Sequence, residues 1–175
     1  MRKSLATRIA KIAIFTALIS VISPLSIPLP GGVSLSLTTF VIFLAGAILP
    51  PFEALVSVAV YLLVGLVGVP VFQNFTGGFY AFLGPTGGYL IGYLIGVLVA
   101  SLILCKKRNF LGYVLAFSIC TVIIYAVGYV WFSIVTTGAI TLVALIPSVI
   151  IFLPFDIIKI ICASIVSKKL YLKVK

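Results

Sequence analysis

Two acidic residues stand in a chain of 175, and one of them has a base three positions on: Asp156 and Lys159, in "LPFDIIKIICAS". Spacing of i,i+3 sets both side chains on one face of a helix. A charge at the centre of an apolar span costs about 2.5–3.5 kcal/mol on insertion scales, so such a pair turns away from lipid. The carboxylate accepts N–H or O–H groups, and the ammonium donates to carboxylate or carbonyl oxygens. Together they suit a small ligand that carries both kinds of group. The plainer alternative is a structural ion pair, with Asp156 also capping a helix that Pro154 starts. The other acid, Glu53, follows Pro50-Pro51 at a helix start, where a carboxylate complements the dipole. Histidine is absent, and Cys105, Cys120 and Cys162 have no metal-ligand spacing. No G-x-x-x-x-G-K-[ST] loop is present either. These residues suit binding; no metal, cofactor or enzymatic acid–base set is expected.

A second stretch with chemical meaning is "FLGPTGGYLIGY", residues 82–93. Gly84, Gly88, Gly92 and Gly96 recur every four residues, with Ala100 next. On a helix this is one small-residue face that lets another helix come close. Gly92 and Gly96 are expected to pack within the bundle. At the other end Pro85 starts the helix, and Gly77, Gly78, Gly84, Gly87 and Gly88 leave backbone N–H groups uncovered at a positive dipole end. An anionic or carbonyl-bearing ligand is expected there.

The elements that must hold these residues are membrane spans. The chain is 63% hydrophobic and 8% charged, with a mean hydropathy of +1.42. A soluble domain sits nearer half apolar and about a quarter charged. The expected fold class is all-α: a single polytopic membrane domain over residues 1–175 with six transmembrane helices. Apolar runs at roughly 5–22, 33–49, 53–69, 86–104 and 110–133 give five of them. The run 139–167 is divided by Pro147 and Pro154. It reads as a short or re-entrant segment, about 139–151, and a sixth helix from Pro154 to about Lys169. The first run lacks a small-residue cleavage site, so it reads as a helix and not a leader.

Net charge is +10, but the bases cluster in "MRKSLATRIAK", in "KKR" at 106–108, and at Lys168, Lys169, Lys173 and Lys175. Such grouping marks cytoplasmic flanks and anionic headgroups, and argues against nucleic acid. Both termini are therefore expected inside. The loops 23–32, 70–85 and 134–140 fall outside and carry no Lys or Arg. No repeat of the two halves is visible, so inverted-repeat transporter logic finds no support.

Three stretches in register carry a family resemblance. They are "VSLSLTTFVIFLAGAILPPFEALVSVAVYLLVGLVGVPVF" (33–72), "GGFYAFLGPTGGYLIGY" (77–93) and "PFDIIKIICA" (154–163). The chain resembles the BioY family, the biotin-binding S-components of energy-coupling factor (ECF) transporters. The resemblance implies a membrane subunit of a prokaryotic plasma membrane that captures biotin outside with high affinity. It implies, as partners, a transmembrane T-component and two ATP-binding-cassette ATPases, which supply the energy. Asp156 and Lys159 match the family's polar ligand contacts. The loop before the glycine motif also lines the family's site, which brings in Thr76, Gly77, Gly78 and Phe79. Thr76 stands where some relatives have Asn, Leu90 where some have Arg, and Thr38 where some have Gln.

Biotin itself has a ureido ring, an apolar thiophane and a carboxylate tail. Asp156 is the natural acceptor for ureido N–H; Lys159 suits either the ureido oxygen or the tail. Phe72, Phe75, Phe79, Tyr80 and Tyr89 offer apolar walls. In helix 1, Ala13 and Ala17 form a small-xxx-small pair. In S-components such an alanine face docks on the T-component; packing within the bundle is the other reading. An S-component or carrier for a different vitamin-like solute is the rival function.

Overall fold

The structure is a computed structural model that describes residues 5–29 and 33–174. Arg2, Lys3, Lys175 and the Pro30-Gly31-Gly32 part of the first loop lie outside the described residues.

In lipid each backbone N–H and C=O must be paired within the protein, so continuous apolar runs become helices. Four long ones form: α1 (Leu5–Ile22), α5 (Gly87–Lys106), α6 (Phe110–Thr137) and α7 (Leu153–Val174). Apolar stretches long enough to cross a membrane run through all four. Two shorter apolar helices, α2 (Thr38–Ile48) and α3 (Pro51–Leu66), lie between α1 and α5. One short turn of helix, α4 (Phe79–Leu83), precedes α5.

Local chemistry sets the ends. Pro51 opens α3, where its missing N–H would have no partner anyway. Asn109 caps α6, its Oδ1 accepting the Gly112 amide at 2.8 Å. Gly138 stops α6 in the left-handed region (φ +74°), its amide closing on the Ile134 carbonyl at 3.0 Å. The expected end near 133 therefore moves to Thr137.

The run 33–49 is not one helix, and the fold is not wholly α. Strand β1 (Ser26–Leu29) pairs antiparallel with strand β2 (Val33–Ser36), Ser26 opposite Ser36 and Ile27 opposite Leu35. Ser34, Leu35 and Ser36 alternate with period two, which sends the serines to one face. Pro28 is tolerated because a two-stranded ribbon is all edge. The strand shortens α2 to 11 residues, about 16 Å of helix. Segment 139–151 holds a 3₁₀ turn (Leu142–Ala144) and a π-helical turn (Ile146–Ile150) that leads into α7.

The centre of the bundle is the α5–α6 seam, and the glycine stripe makes it. A Cβ on Gly92 would stand 2.9 Å from Ile124 Cα, and one on Gly96 2.8 Å from Cys120 Sγ. A Cβ on Gly88 would stand 2.2 Å from Trp131 Cβ. The expected within-bundle role thus extends to Gly88. Its expected place in a ligand wall is corrected, because Trp131 already fills that space. Phe43 of α2 stacks on Phe117 of α6 with ring centroids 4.8 Å apart.

Helix α1 is attached differently. Its buried residues are Phe15, Thr16 and Ile19. Polar ties to α3 include Arg8 Nε to Glu53 Oε1 at 2.7 Å and Thr16 Oγ1 to the Ser57 carbonyl at 2.9 Å, and just past the end of α1 Ser23 bonds Tyr61 at 2.7 Å. Glu53 thus sits in the first turn of α3, as expected, and also pairs with Arg8. Ala10, Ala13 and Ala17 lie on the exposed side of α1.

Candidate functional site

Asp156 and Lys159 occupy the first turns of α7 and are 4% and 9% exposed. Pro154 sets the helix start, and the Asp156 amide closes on the Phe152 carbonyl at 3.0 Å. Lys159 Nζ lies 2.7 Å from Asp156 Oδ1. The same ammonium donates to the Ser36 carbonyl at 2.6 Å and to Thr39 Oγ1 at 3.3 Å. Tyr125 Oη donates to the other carboxylate oxygen, Asp156 Oδ2, at 2.5 Å. Each proton of the ammonium has an acceptor, and each carboxylate oxygen has a donor. Buried charges persist only when paired and hydrogen-bonded in this way. The network joins the start of α7 to β2, α2 and α6.

An open cavity lies against this pair, with about 410 Å³ of empty space counted out to its solvent-filled mouth. Ser34, Ser36 and Thr39 line it from β2 and α2, and Gln73 from the loop after α3. Thr86, Tyr89 and Tyr93 line it from α5, Ile124 and Tyr125 from α6, and Phe152 beside α7. Tyr89 has room because α6 has a glycine there: a Cβ on Gly128 would stand 2.4 Å from the ring. The Tyr89 hydroxyl donates to the Ser148 carbonyl at 2.6 Å, which fixes the π-helical turn to the wall. The chemistry on offer is one carboxylate, one ammonium, several neutral hydroxyls and an amide, set among aromatic walls.

At the rim, Asn74 fastens the hairpin to the loop 72–76. Its Nδ2 donates to Ser34 Oγ at 2.6 Å, its Oδ1 accepts from Ser26 Oγ at 2.9 Å, and its amide donates to that same hydroxyl at 2.9 Å. The backbone there is left-handed (φ 56°, ψ 35°), a conformation that asparagine tolerates better than most residues.

Of the residues expected at the site, the structure brings Asp156, Lys159 and Tyr89 together around the cavity. The others stand off the cavity wall. Thr38 is fully buried and hydrogen-bonds Ser36 Oγ, while its neighbour Thr39 takes the wall. Thr76 is exposed and donates to the Gln73 carbonyl at 2.8 Å. A Cβ on Gly77 would meet the Val69 carbonyl oxygen at 2.4 Å, so that glycine permits two backbone segments to touch. The Gly78 amide donates to the Gly65 carbonyl at 2.7 Å. Phe79 is 63% exposed and Tyr80 is 91% exposed. Phe75 is also exposed, and Phe72 is buried edge-on against Tyr61. The reason is the left-handed turn at Asn74 and Phe75, which gives the wall Gln73 and carries the following residues away from it.

Sequence reasoning passed over Tyr125, Tyr93, Thr39, Ser34, Ser36 and Thr86. Two signals pointed to some of them. Tyr is enriched at membrane boundaries, so a Tyr in the middle of the run 110–133 needs a buried partner. The alternation at Ser34 and Ser36 marked a strand with one polar face.

A bundle of apolar helices around one charged, cavity-lining pair defines a membrane-embedded small-solute-binding protein. The chain belongs to the BioY family, whose family model matches residues 1–175. It is 38% identical over 165 residues to the "Biotin transporter BioY" of Thermotoga maritima, covering 93% of this chain and 95% of that one. It is 35% identical over 128 residues to the "Probable biotin transporter BioY" of Pyrococcus horikoshii, covering 73% and 75%. A crystal structure of the S-component for biotin from an ECF-type ABC transporter matches with a TM-score of 0.85. That structure is 29% identical and the match covers 95% of this chain and 91% of that one.

Proposed function

We propose that this protein is the biotin-capturing S-component of an ECF-type uptake transporter, with ATP hydrolysis left to partner subunits. The observation that carries the reading is the buried Asp156–Lys159 pair on the wall of an open cavity inside an apolar bundle. The ureido ring of biotin presents N–H donors beside a carbonyl oxygen. Asp156 accepts from an N–H, and Lys159, 2.7 Å away, donates to the oxygen. Tyr89, Tyr93, Ile124 and Phe152 enclose the thiophane. The relatives named as biotin transporters and the biotin S-component support the same ligand.

Six crossings with both termini cytoplasmic fit four long apolar helices, two shorter ones and the clustered bases. In that arrangement the cavity opens outward, under the hairpin and the 72–76 loop, in the plasma membrane of a prokaryote. The turns before α7 serve as a re-entrant segment. The exposed Ala13 and Ala17 face of α1 docks on the T-component, and two ATPases drive reorientation of the whole subunit. Calorimetry of the purified chain with biotin tests the ligand. A saturable one-site heat supports the reading; no heat with biotin, and heat with another vitamin, replaces it by the rival solute.

A further inference from the structure

Among the described residues the cavity is lined by one cation and one anion, and they neutralise each other. From this we propose that the protein recognises the ring of its ligand and is indifferent to the charge of the tail: the acid and its uncharged amide bind alike. This rests on the biotin reading above and adds a specificity to it.

Lys and Arg are absent from residues 12–105, 109–158 and 160–167. Every residue lining the cavity other than Lys159 comes from these cation-free stretches. Lys159 carries its counter-ion beside it. Its ammonium meets Asp156 at 2.7 Å, the Ser36 carbonyl at 2.6 Å and Thr39 Oγ1 at 3.3 Å. A ligand carboxylate brought to Lys159 would lie beside the carboxylate of Asp156, and two like charges repel strongly in a poorly solvated site. A ureido oxygen meets no such repulsion.

The start of α5, at Thr86, is the other place where an anion gains on general grounds. Three amides of its first turn already have acceptors. Gly87 N donates to the Gly84 carbonyl at 3.0 Å, and Tyr89 N and Leu90 N donate to the Thr86 carbonyl at 3.1 and 3.4 Å. What remains for a tail is neutral: the hydroxyls of Ser34 and Thr86 and the amide of Gln73. These groups hold an amide oxygen as well as an acid oxygen.

The test is calorimetry, or competition against labelled biotin, with the intact chain in detergent. Biotin, biotinamide and biotin methyl ester are compared at one pH and ionic strength. The expected result is dissociation constants within about threefold of one another, less than the tenfold that 1.4 kcal/mol represents. Biotinamide and the ester both weaker than biotin by tenfold or more would overturn the inference and leave the biotin reading standing. Biotin failing to bind at all overturns the biotin reading, and the inference with it.

Discussion

Asp156 and Lys159 stabilise each other because each removes the other's uncompensated charge from an apolar bundle. Removing one partner of a buried pair typically costs about 3–5 kcal/mol, whereas replacing both by apolar groups is often neutral. Asp156→Asn strands the ammonium among Ser36, Thr39 and an amide. That variant should lower the melting temperature and weaken biotin binding at least about a hundredfold, or about 2.7 kcal/mol. The double variant Asp156→Asn with Lys159→Met removes both charges. Thermal unfolding should then recover toward wild type while biotin binding stays lost. If the double variant binds biotin with near-native affinity in calorimetry, the pair is structural and the site assignment is wrong. At this scale the sequence was informative because charge is so scarce in it. Two acids in 175 residues make each conspicuous. Tyr125 showed only that it needs some buried partner: which one depends on α6 presenting its hydroxyl to Asp156 across 31 residues, a contact no local pattern encodes.

Elements differ in how they are held. The α5–α6 seam depends on bare backbone, and two glycines of one stripe give opposite expectations. Gly92→Leu drives a side chain toward Ile124 Cα, which a Cβ alone would approach to 2.9 Å. It should abolish stable folded protein in size-exclusion chromatography, since overpacking commonly costs about 1–3 kcal/mol and here the obstacle is backbone. At Gly84 a Cβ meets nothing nearer than 3.5 Å, so Gly84→Ala should keep the wild-type melting temperature within about 2 °C, as surface changes of under about 0.5 kcal/mol do. The hairpin is held by side chains. Asn74→Ala removes its two side-chain contacts, to Ser34 and Ser26, and puts a less tolerant residue in a left-handed turn. Amide hydrogen exchange over 26–29 and 33–36 should accelerate, with α5 and α6 unchanged; equal protection would show that the hairpin is held by something else.

These same elements mark what sequence could and could not deliver. The long spans were legible because eighteen or more apolar residues in lipid have one way to pair their backbone. The hairpin was not, because its four-residue alternation is swallowed by the apolar run that follows it. The stripe's small-residue period was legible, but its partner was not: only packing shows that Trp131 takes the space at Gly88.

At the scale of the whole molecule the asymmetric helix is α1. Phe15, Thr16 and Ile19 bury one side of it, and polar contacts that include Arg8–Glu53 and Thr16–Ser57 bind it to α3. The opposite side exposes Ala10, Ala13 and Ala17 between larger residues such as Ile14 and Leu18. Packing within the bundle does not account for these alanines, since they lie outside it. Lipid gives no preference for them, because acyl chains accommodate Leu or Ile as readily as Ala. A spacing of four small residues does matter to another helix, whose backbone can then come close. The face suits a partner helix, and the proposed transporter reading offers one in the T-component. Trp at both positions, Ala13→Trp with Ala17→Trp, keeps the face apolar while closing the approach. Among the described residues none that lines the cavity comes from α1, so biotin affinity should stay within about twofold, under the 1.4 kcal/mol of a tenfold change. Co-purification with a tagged T-component and its ATPases should be lost. If the complex forms as before, the alanines face lipid and docking lies elsewhere. If binding and assembly fail together, α1 supports the fold of the site, and the separation of capture from docking does not hold.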